Sequence, residues 1–116
     1  MKTYKFLVKT FGDEFTKGEY NGYVIIPQEH PYYAKSYWDI IDDIDIHGGL
    51  TLSEPLSMFP ENIIEWIGEK PEILENYWVF GFDTCHLGDN KNNWNKKSVI
   101  KEVEQLEKQL LEIYEK

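Results

Sequence analysis

The sequence predicts an α+β fold in which one long C-terminal amphipathic helix packs on a mainly antiparallel β-sheet. Three patterns indicate this fold: short β-prone segments bounded by Gly and Pro, one segment that is apolar on both faces, and an apolar stripe at helical spacing near the C-terminus. At 116 residues the chain has room for one hydrophobic core. We therefore expect a single globular domain over residues 1–116.

Two strands are expected in the N-terminal part of the chain. Lys5 to Phe11 is a moderately β-prone segment that ends at Gly12-Asp13. Tyr20 to Ile26 is predicted to form the second strand, in which Gly22 marks either a bulge or a close approach of backbone. An aromatic loop then begins at His30-Pro31.

Apolar and polar residues alternate between Ile40 and Leu52, which predicts a third strand interrupted at Gly48-Gly49. Because side chains alternate across a strand, its polar residues would share one face. These residues are Asp43, Asp45 and His47.

Two further elements are predicted before the C-terminal helix. Glu61 to Ile67 is expected to form a short helical turn with three apolar residues, Ile63, Ile64 and Trp66. Tyr77 to Phe82 is apolar on both faces and too short for a helix, so we expect a central strand that is buried on both sides.

The C-terminal segment has the clearest periodicity. Its apolar residues recur at spacings of four and three, which gives one stripe along an α-helix. They are Val99, Val103, Leu106, Leu110 and Ile113. We expect this stripe to pack across the sheet. The alternative is a seam between copies in a homo-oligomer, although such seams need several heptads.

The charge excludes one class of partner. The net charge is −9, from 21 acidic and 12 basic residues, and every basic residue is a lysine. Proteins that read nucleic acid need a basic face, so we expect no nucleic-acid partner. A small phosphate-bearing ligand could still bind through backbone N–H groups or a lysine.

Cysteine content and hydropathy predict the location of the protein. One cysteine, Cys85, excludes an internal disulfide framework. The first residues lack the apolar core of a signal peptide, and no apolar run reaches the roughly 18 residues of a membrane span. We therefore expect a cytoplasmic protein with no membrane partner.

His47 is the first candidate site residue. A histidine beside the carboxylates of Asp43 and Asp45 has its imidazolium stabilised or its tautomer fixed, which suits a proton shuttle or a metal ligand. Gly48-Gly49 would let a ligand approach backbone N–H groups closely. The alternative interpretation is a Gly-Gly bulge in a twisted strand with a solvated acidic edge.

The segment after the predicted central strand gathers several polar residues. Asp83, His86 and Asp89 are spaced by three, so a loop or a helical turn can bring them together. Polar groups at the end of a buried strand are a common way to place a site on a rigid element. The alternative is that Asp83 caps a turn through its own backbone, as Asx residues do.

His30 is weak as a candidate on its own. The chain has three histidines, and each lies in a segment punctuated by Gly, Pro or Asp, so we expect His30, His47 and His86 to converge. Three histidines with an aspartate could form a divalent metal site, but no close pair such as His-x-x-x-His is present, and the metal content stays open. Cys85 is disfavoured as a nucleophile, because the adjacent His86 would point to the opposite face of a strand.

Several blocks together resemble a set of small proteins of tailed bacteriophages and prophages. The resemblance extends from about residue 20 to the C-terminal helix. Its blocks are Asn21-Gly22-Tyr23-Val24 with Pro27 and His30-Pro31, His47-Gly48-Gly49-Leu50-Thr51, and Gly81-Phe82-Asp83 with His86 and Asp89. The resemblance implies a phage accessory protein in the host cytoplasm, and such proteins often bind, sequester or destroy a component of host defence.

Three functions follow as hypotheses. The first is binding of a small nucleotide-like ligand in an aromatic pocket. The second is hydrolysis of a phosphoester or glycosidic bond, with or without a metal, where His47 or His86 acts as general base or acid and Asp45 or Asp83 orients it. The third is an acidic inhibitor of a host protein. The predicted ligand-binding residues are His30, His47, Gly48, Gly49, Thr51, Asp83, His86 and Asp89.

Overall fold

The computed structural model describes residues 1–10, 17–62 and 67–116. Within these ranges, four strands form one antiparallel sheet in the order β1-β2-β4-β3. The strands are β1 (Tyr4–Lys9), β2 (Tyr20–Ile26), β3 (Leu52–Pro55) and β4 (Trp78–Phe82). The helices are α1 (Tyr37–Ile40), α2 (Pro71–Leu74) and α3 (Lys96–Tyr114), with a 3-10 turn at Leu56–Met58. The predicted α+β architecture is confirmed.

The first two strands occur where the sequence predicts them. β1 ends at Lys9, earlier than expected, and Phe11 lies outside the described residues. β2 has the predicted bounds. Its register with β1 continues without a shift through Gly22, and its pairing with β4 ends at Gly22, so this glycine is not a bulge. A Cβ at Gly22 would overlap Cγ2 of Val103 on α3, which confirms the alternative of a close approach.

The predicted third strand between Ile40 and Leu52 is wrong, because most of this segment is a loop and β3 begins only at Leu52. The backbone of Asp45 is satisfied by a helix side chain instead of a neighbouring strand. Its N–H donates to Oε1 of Gln109 at 2.7 Å, and its carbonyl accepts from Nε2 of Gln109 at 2.9 Å. The alternation arises from burial, since Ile44 and Ile46 are both buried in the core.

The sheet is covered on both of its faces, which explains why β4 is apolar throughout. β4 pairs with β2 on one side and β3 on the other, as expected for a central strand. One face packs against α3 through Phe80 and Phe82. The other face carries a second cluster that includes Ile25, Val79 and Leu74. Residues Ile63, Ile64 and Trp66 of the predicted turn lie outside the described residues.

Helix α3 matches its predicted stripe. Asn95 caps its N-terminus, because Oδ1 accepts from the N–H of Ser98 at 3.0 Å. Four residues of the stripe are buried against the sheet of the same chain, namely Val99, Val103, Leu106 and Leu110. Ile113 is partly buried beside them. Among the described residues, no helix combines the length and apolarity required to cross a bilayer.

Candidate functional site

Thr84 connects the loop that follows β4 to β2 through hydrogen bonds. This threonine is fully buried, and its hydroxyl donates to the carbonyl of Tyr20 at 2.8 Å. Its N–H donates to Oδ1 of Asn21 at 3.0 Å. Because β2 and β4 are paired strands, these bonds fix the start of the loop relative to the sheet.

Asp89 closes a turn in this loop. Its Oδ2 accepts from the N–H of His86 at 2.8 Å, and its own N–H donates to the carbonyl of His86 at 2.9 Å. Gly88 within the turn has φ of 91°, in the left-handed region that glycine adopts readily. Only 5% of Asp89 is exposed, so its carboxylate lies inside the protein.

The carboxylate of Asp89 also binds His47 from the other loop. Nε2 of His47 lies 2.8 Å from Oδ1 and 3.0 Å from Oδ2 of Asp89. A carboxylate accepts hydrogen bonds, so these partners assign the proton of the neutral ring to Nε2 and leave Nδ1 as an acceptor. Within the described part of the chain, no group hydrogen-bonds Nδ1 of His47.

His86 stands edge-on to His47. The two ring centroids are 5.4 Å apart and the ring planes cross at 79°. Nε2 of His86 lies 3.0 Å from Oδ1 of Asp83, which is ion-pair distance, but the angle does not meet hydrogen-bond geometry. The ring also packs on Gly48, where a Cβ would overlap Nε2 of His86. Gly48 therefore leaves the space that the His86 ring occupies.

Trp94 supports the His47 ring. The two ring centroids are 4.0 Å apart with an interplanar angle of 31°. Trp94 is held in turn by Asn90 and Glu19, since its N–H donates to the carbonyl of Asn90 at 2.9 Å and its carbonyl accepts from the N–H of Glu19 at 2.8 Å. It also lines an open surface cavity of about 350 Å³ together with Ser98, Lys101 and other residues.

These residues form one unit, which we call the histidine cluster. Its members are His47, Gly48, Asp83, His86, Asp89 and Trp94. The cluster joins the segment at Gly48 to the loop after β4, as the sequence predicts. The carboxylate partner of His47 is Asp89, however, so the expectation that Asp45 orients this histidine is wrong.

His30 does not join the histidine cluster. Its Nε2 lies 2.8 Å from the carbonyl of Leu110, and its Nδ1 accepts from the N–H of Tyr32 at 2.9 Å. Leu110 lies about 20 Å along α3 from the start of the helix at a rise of 1.5 Å per residue, whereas Trp94 precedes that start. The expected convergence of three histidines is therefore a convergence of two.

The environment of His30 is that of a structural histidine. Only 2% of the residue is exposed. Burial lowers the pKa of His30 from its ordinary value, against a smaller opposite effect of the bond to the Leu110 carbonyl. Both ring nitrogens are used by the backbone of the same chain, so neither is left to bind a ligand.

Gly49 and Thr51 lie between the cluster and the sheet. Gly49 has φ of 77°, and its N–H donates to the carbonyl of Ile46 at 3.0 Å, so it shapes the turn that presents His47. The N–H of Thr51 donates to the carbonyl of Gly81 at 2.9 Å. This bond ties the segment to β4, two residues before Asp83 begins the second loop.

The thiol of Cys85 is not activated by its surroundings. Partial burial raises the pKa of Cys85, and the nearby carboxylate of Asp83 raises it further. The thiolate is the nucleophilic form, and a raised pKa disfavours it. The structure thus gives a physical reason against a cysteine nucleophile at this position.

Trp94 and Asn90 were not predicted as members or supports of the site. Oδ1 of Asn90 accepts from the N–H groups of Asn92 and Asn93 at 3.0 and 2.8 Å, which makes the turn that places Trp94. The sequence contains a signal for this turn, because Trp94 lies among asparagines directly after the polar segment that ends at Asp89. Asparagines of this kind form side-chain turns, so an ordered Trp94 could have been expected.

The donor set of the described residues does not fit a metal centre. Within those residues, no group of three or more His, Cys, Asp or Glu side chains could hold a metal ion. In the histidine cluster, both oxygens of Asp89 accept hydrogen bonds from His47 and His86. The metal-assisted form of the hydrolase hypothesis therefore has no ligand set in this part of the chain.

Comparisons of the chain with protein-family models, with curated proteins and with solved structures found no match. The resemblance to phage proteins stays a prediction. What the histidine cluster does is therefore inferred from its own geometry and chemistry.

Proposed function

We propose that the histidine cluster binds a small nucleotide-like ligand. The observation that supports this is the edge-on contact of the His47 and His86 rings, in which the buried carboxylate of Asp89 holds Nε2 of His47. The side chains are 23% exposed for His47 and 33% exposed for His86. Rings that are fixed before the ligand arrives lose little freedom on binding, and such preorganisation strengthens affinity.

The two imidazoles suit a phosphate group. An imidazole N–H group donates hydrogen bonds to phosphate oxygens, and each of the two rings has a carboxylate beside it, Asp89 for His47 and Asp83 for His86. The cavity beside Trp94 adds the ammonium of Lys101. Because the protein has no arginine, histidine and lysine are the cationic side chains available to a phosphate.

The base of a nucleotide suits the same surface. The cavity next to Trp94 measures about 350 Å³, which falls within the size range of small-molecule sites. An aromatic ring offers a stacking platform of roughly 1–3 kcal/mol for a base. In this proposal the base lies in the cavity beside Trp94 and the phosphate lies at His47 and His86.

Sequestration of such a ligand agrees with the resemblance to phage accessory proteins. A protein that captures a nucleotide signal would deprive a host defence of its activator without any contact to nucleic acid. The acidic net charge of −9 disfavours long polyanions but not a small ligand held by local groups. In this proposal the protein acts in the cytoplasm of the infected cell.

Thermal unfolding of the full chain tests the proposal. The panel contains ATP, cyclic AMP, cyclic di-AMP, cyclic di-GMP and ADP-ribose. A ligand at 100-fold its dissociation constant adds about 2.7 kcal/mol to the free energy of unfolding. We expect at least one nucleotide to raise the melting temperature of the wild-type protein, and this increase to disappear in His47→Ala and His86→Ala.

His30→Gln is the matched control, because His30 is a histidine outside the cluster. Its melting temperature will differ, but the increase caused by the nucleotide should remain. If no nucleotide stabilises the wild-type protein, the proposal is wrong. Binding to a host protein that survives the loss of His47 and His86 but is abolished by salt would then favour the acidic inhibitor.

A further inference from the structure

We infer that the histidine cluster also hydrolyses a phosphodiester bond in its ligand, with His47 as the general base and His86 as the general acid. This inference rests on the proposed function, because the same cluster must first bind the nucleotide. It adds a reaction to the binding, and it separates an enzyme that destroys a signal from a protein that only sequesters it.

His47 has the arrangement of a general base. Its Nε2 is held by the buried carboxylate of Asp89 at 2.8 and 3.0 Å, which fixes the ring and assigns the proton of the neutral form to Nε2. Nδ1 is then unprotonated and lies on a ring that remains partly exposed. A fixed imidazole with one free nitrogen can take a proton from a water molecule.

His86 has the arrangement of the complementary acid. Oδ1 of Asp83 lies 3.0 Å from Nε2 of His86. Within the described part of the chain, no group hydrogen-bonds Nδ1 of His86, so this atom can present its proton to a leaving oxygen. The two ring centroids are 5.4 Å apart, and the inference requires Nδ1 of both rings to contact one phosphoryl group.

The composition of the cluster favours a phosphodiester over a glycosidic bond. Glycoside hydrolysis uses two carboxyl groups that flank the bond. Asp89 is buried, and its two oxygens accept hydrogen bonds from Nε2 of His47 and the backbone N–H of His86, which leaves the half-buried Asp83 as the more accessible carboxylate of the cluster. Two imidazoles instead match a reaction in which one proton leaves the nucleophile and another reaches the leaving group.

The step balances with water as the sole co-reactant. A water oxygen attacks phosphorus and forms a new P–O bond, while Nδ1 of His47 takes the water proton. The bond from phosphorus to the ester oxygen breaks, and this oxygen receives the proton from Nδ1 of His86. The products are a phosphomonoester and an alcohol, and proton exchange with solvent restores both histidines.

Phosphorus-31 NMR of the full chain with cyclic AMP, cyclic di-AMP or cyclic di-GMP tests the inference in the presence of EDTA. For a nucleotide that the protein binds, we expect a phosphomonoester signal that grows with time and a rate that peaks between an acidic and a basic limb of pH. His47→Ala and His86→Ala should each lower the rate at least about 100-fold. Asp45→Asn, a carboxylate outside the cluster, should leave the rate unchanged.

The outcomes separate the two proposals. Binding without any phosphomonoester signal overturns the hydrolysis and leaves sequestration in place, whereas the absence of both binding and turnover overturns both. Turnover that survives in the histidine variants, or that EDTA abolishes, also overturns the inference. Asp83→Asn guards against simple misfolding, because an asparagine oxygen can still accept the hydrogen bond from the N–H of Cys85 that Oδ1 of Asp83 accepts at 3.2 Å. A normally folded variant with a lower rate and an altered pH profile supports the positioning of His86 by Asp83.

Discussion

The carboxylate of Asp89 accepts a hydrogen bond from Nε2 of His47 at 2.8 Å and another from the backbone N–H of His86 at 2.8 Å. The two donors come from different loops. One buried side chain therefore connects the segment at Gly48 to the loop after β4. Hydrogen bonds to a buried charged group contribute more than bonds between neutral groups. Asp89 thus stabilises the fold and positions the histidine cluster with the same two oxygens.

Asp89→Asn should destabilise the protein by about 2 kcal/mol. The amide keeps the shape of the side chain but turns a donor toward His47 or the His86 N–H, so a buried polar group loses its partner. Urea unfolding measures the loss in free energy. Asp45→Asn is the control, since the contacts of Asp45 use its backbone, and it should change stability by less than about 0.5 kcal/mol. Equal losses in the two variants would contradict the role of Asp89.

Gly48→Ala should displace the ring of His86. The added Cβ would overlap Nε2 of His86, and φ of 68° is itself unfavourable for alanine by about 1 kcal/mol. Gly68→Ala is the matched control, because Gly68 has φ of 84° but no atom within 4 Å of the added Cβ. Nucleotide-induced stabilisation should be lost in Gly48→Ala and kept in Gly68→Ala. Retention in both would show that the His86 position is unimportant.

Gly22→Ala should separate α3 from the sheet. Its Cβ would overlap Cγ2 of Val103 and approach the ring of Phe82, and overpacking of this kind costs about 1–3 kcal/mol. Val103→Ala removes the methyl group that the new Cβ would overlap, but it leaves a cavity. The double variant should therefore be more stable than the sum of the two single losses predicts, by roughly 0.5 kcal/mol or more in denaturant unfolding. If the losses in unfolding free energy of the two single variants simply add in the double variant, Gly22 and Val103 are not in contact.

His30 should make stability depend on pH. Burial lowers the pKa of His30 below its ordinary value of 6.5, so near that pH the unfolded chain binds more protons than the folded one. Stability is thus fully present above pH 6.5 and is lost as the pH falls from there through the folded pKa, by at most about 1.4 kcal/mol per unit. The advantage of wild type over His30→Gln should shrink from pH 7.5 to 5.5. An advantage that stays constant would contradict this.

Periodicity predicted the regular elements well because burial imposes it directly. Helix α3 buries Val99, Val103, Leu106 and Leu110 as expected, and β4 is buried on both faces because layers cover both sides of the sheet. The same reasoning failed from Ile40 to Leu52. There a loop buries alternate residues while Gln109 satisfies the backbone of Asp45, and no local pattern reveals so distant a partner.

The sequence predicts the candidate site only in part, again because local patterns do not reveal distant partners. The sequence identified His47, His86 and Asp89 by residue type and punctuation, but pairing across 42 positions depends on the tertiary fold. His30 was grouped with them on residue type alone, whereas the structure uses it to bond the carbonyl of Leu110. A histidine becomes structural or functional through its surroundings, and the sequence gives these only where they are local.

The imidazole signals of the three histidines test the central claim most directly. The full chain, labelled with nitrogen-15, is titrated with each nucleotide of the panel while the ring resonances are followed by NMR. We expect at least one nucleotide to shift the signals of His47 and His86 in a saturable manner and to leave those of His30 unchanged. A panel that moves none of them, or a nucleotide that moves His30 alone, would contradict a ligand site at the histidine cluster.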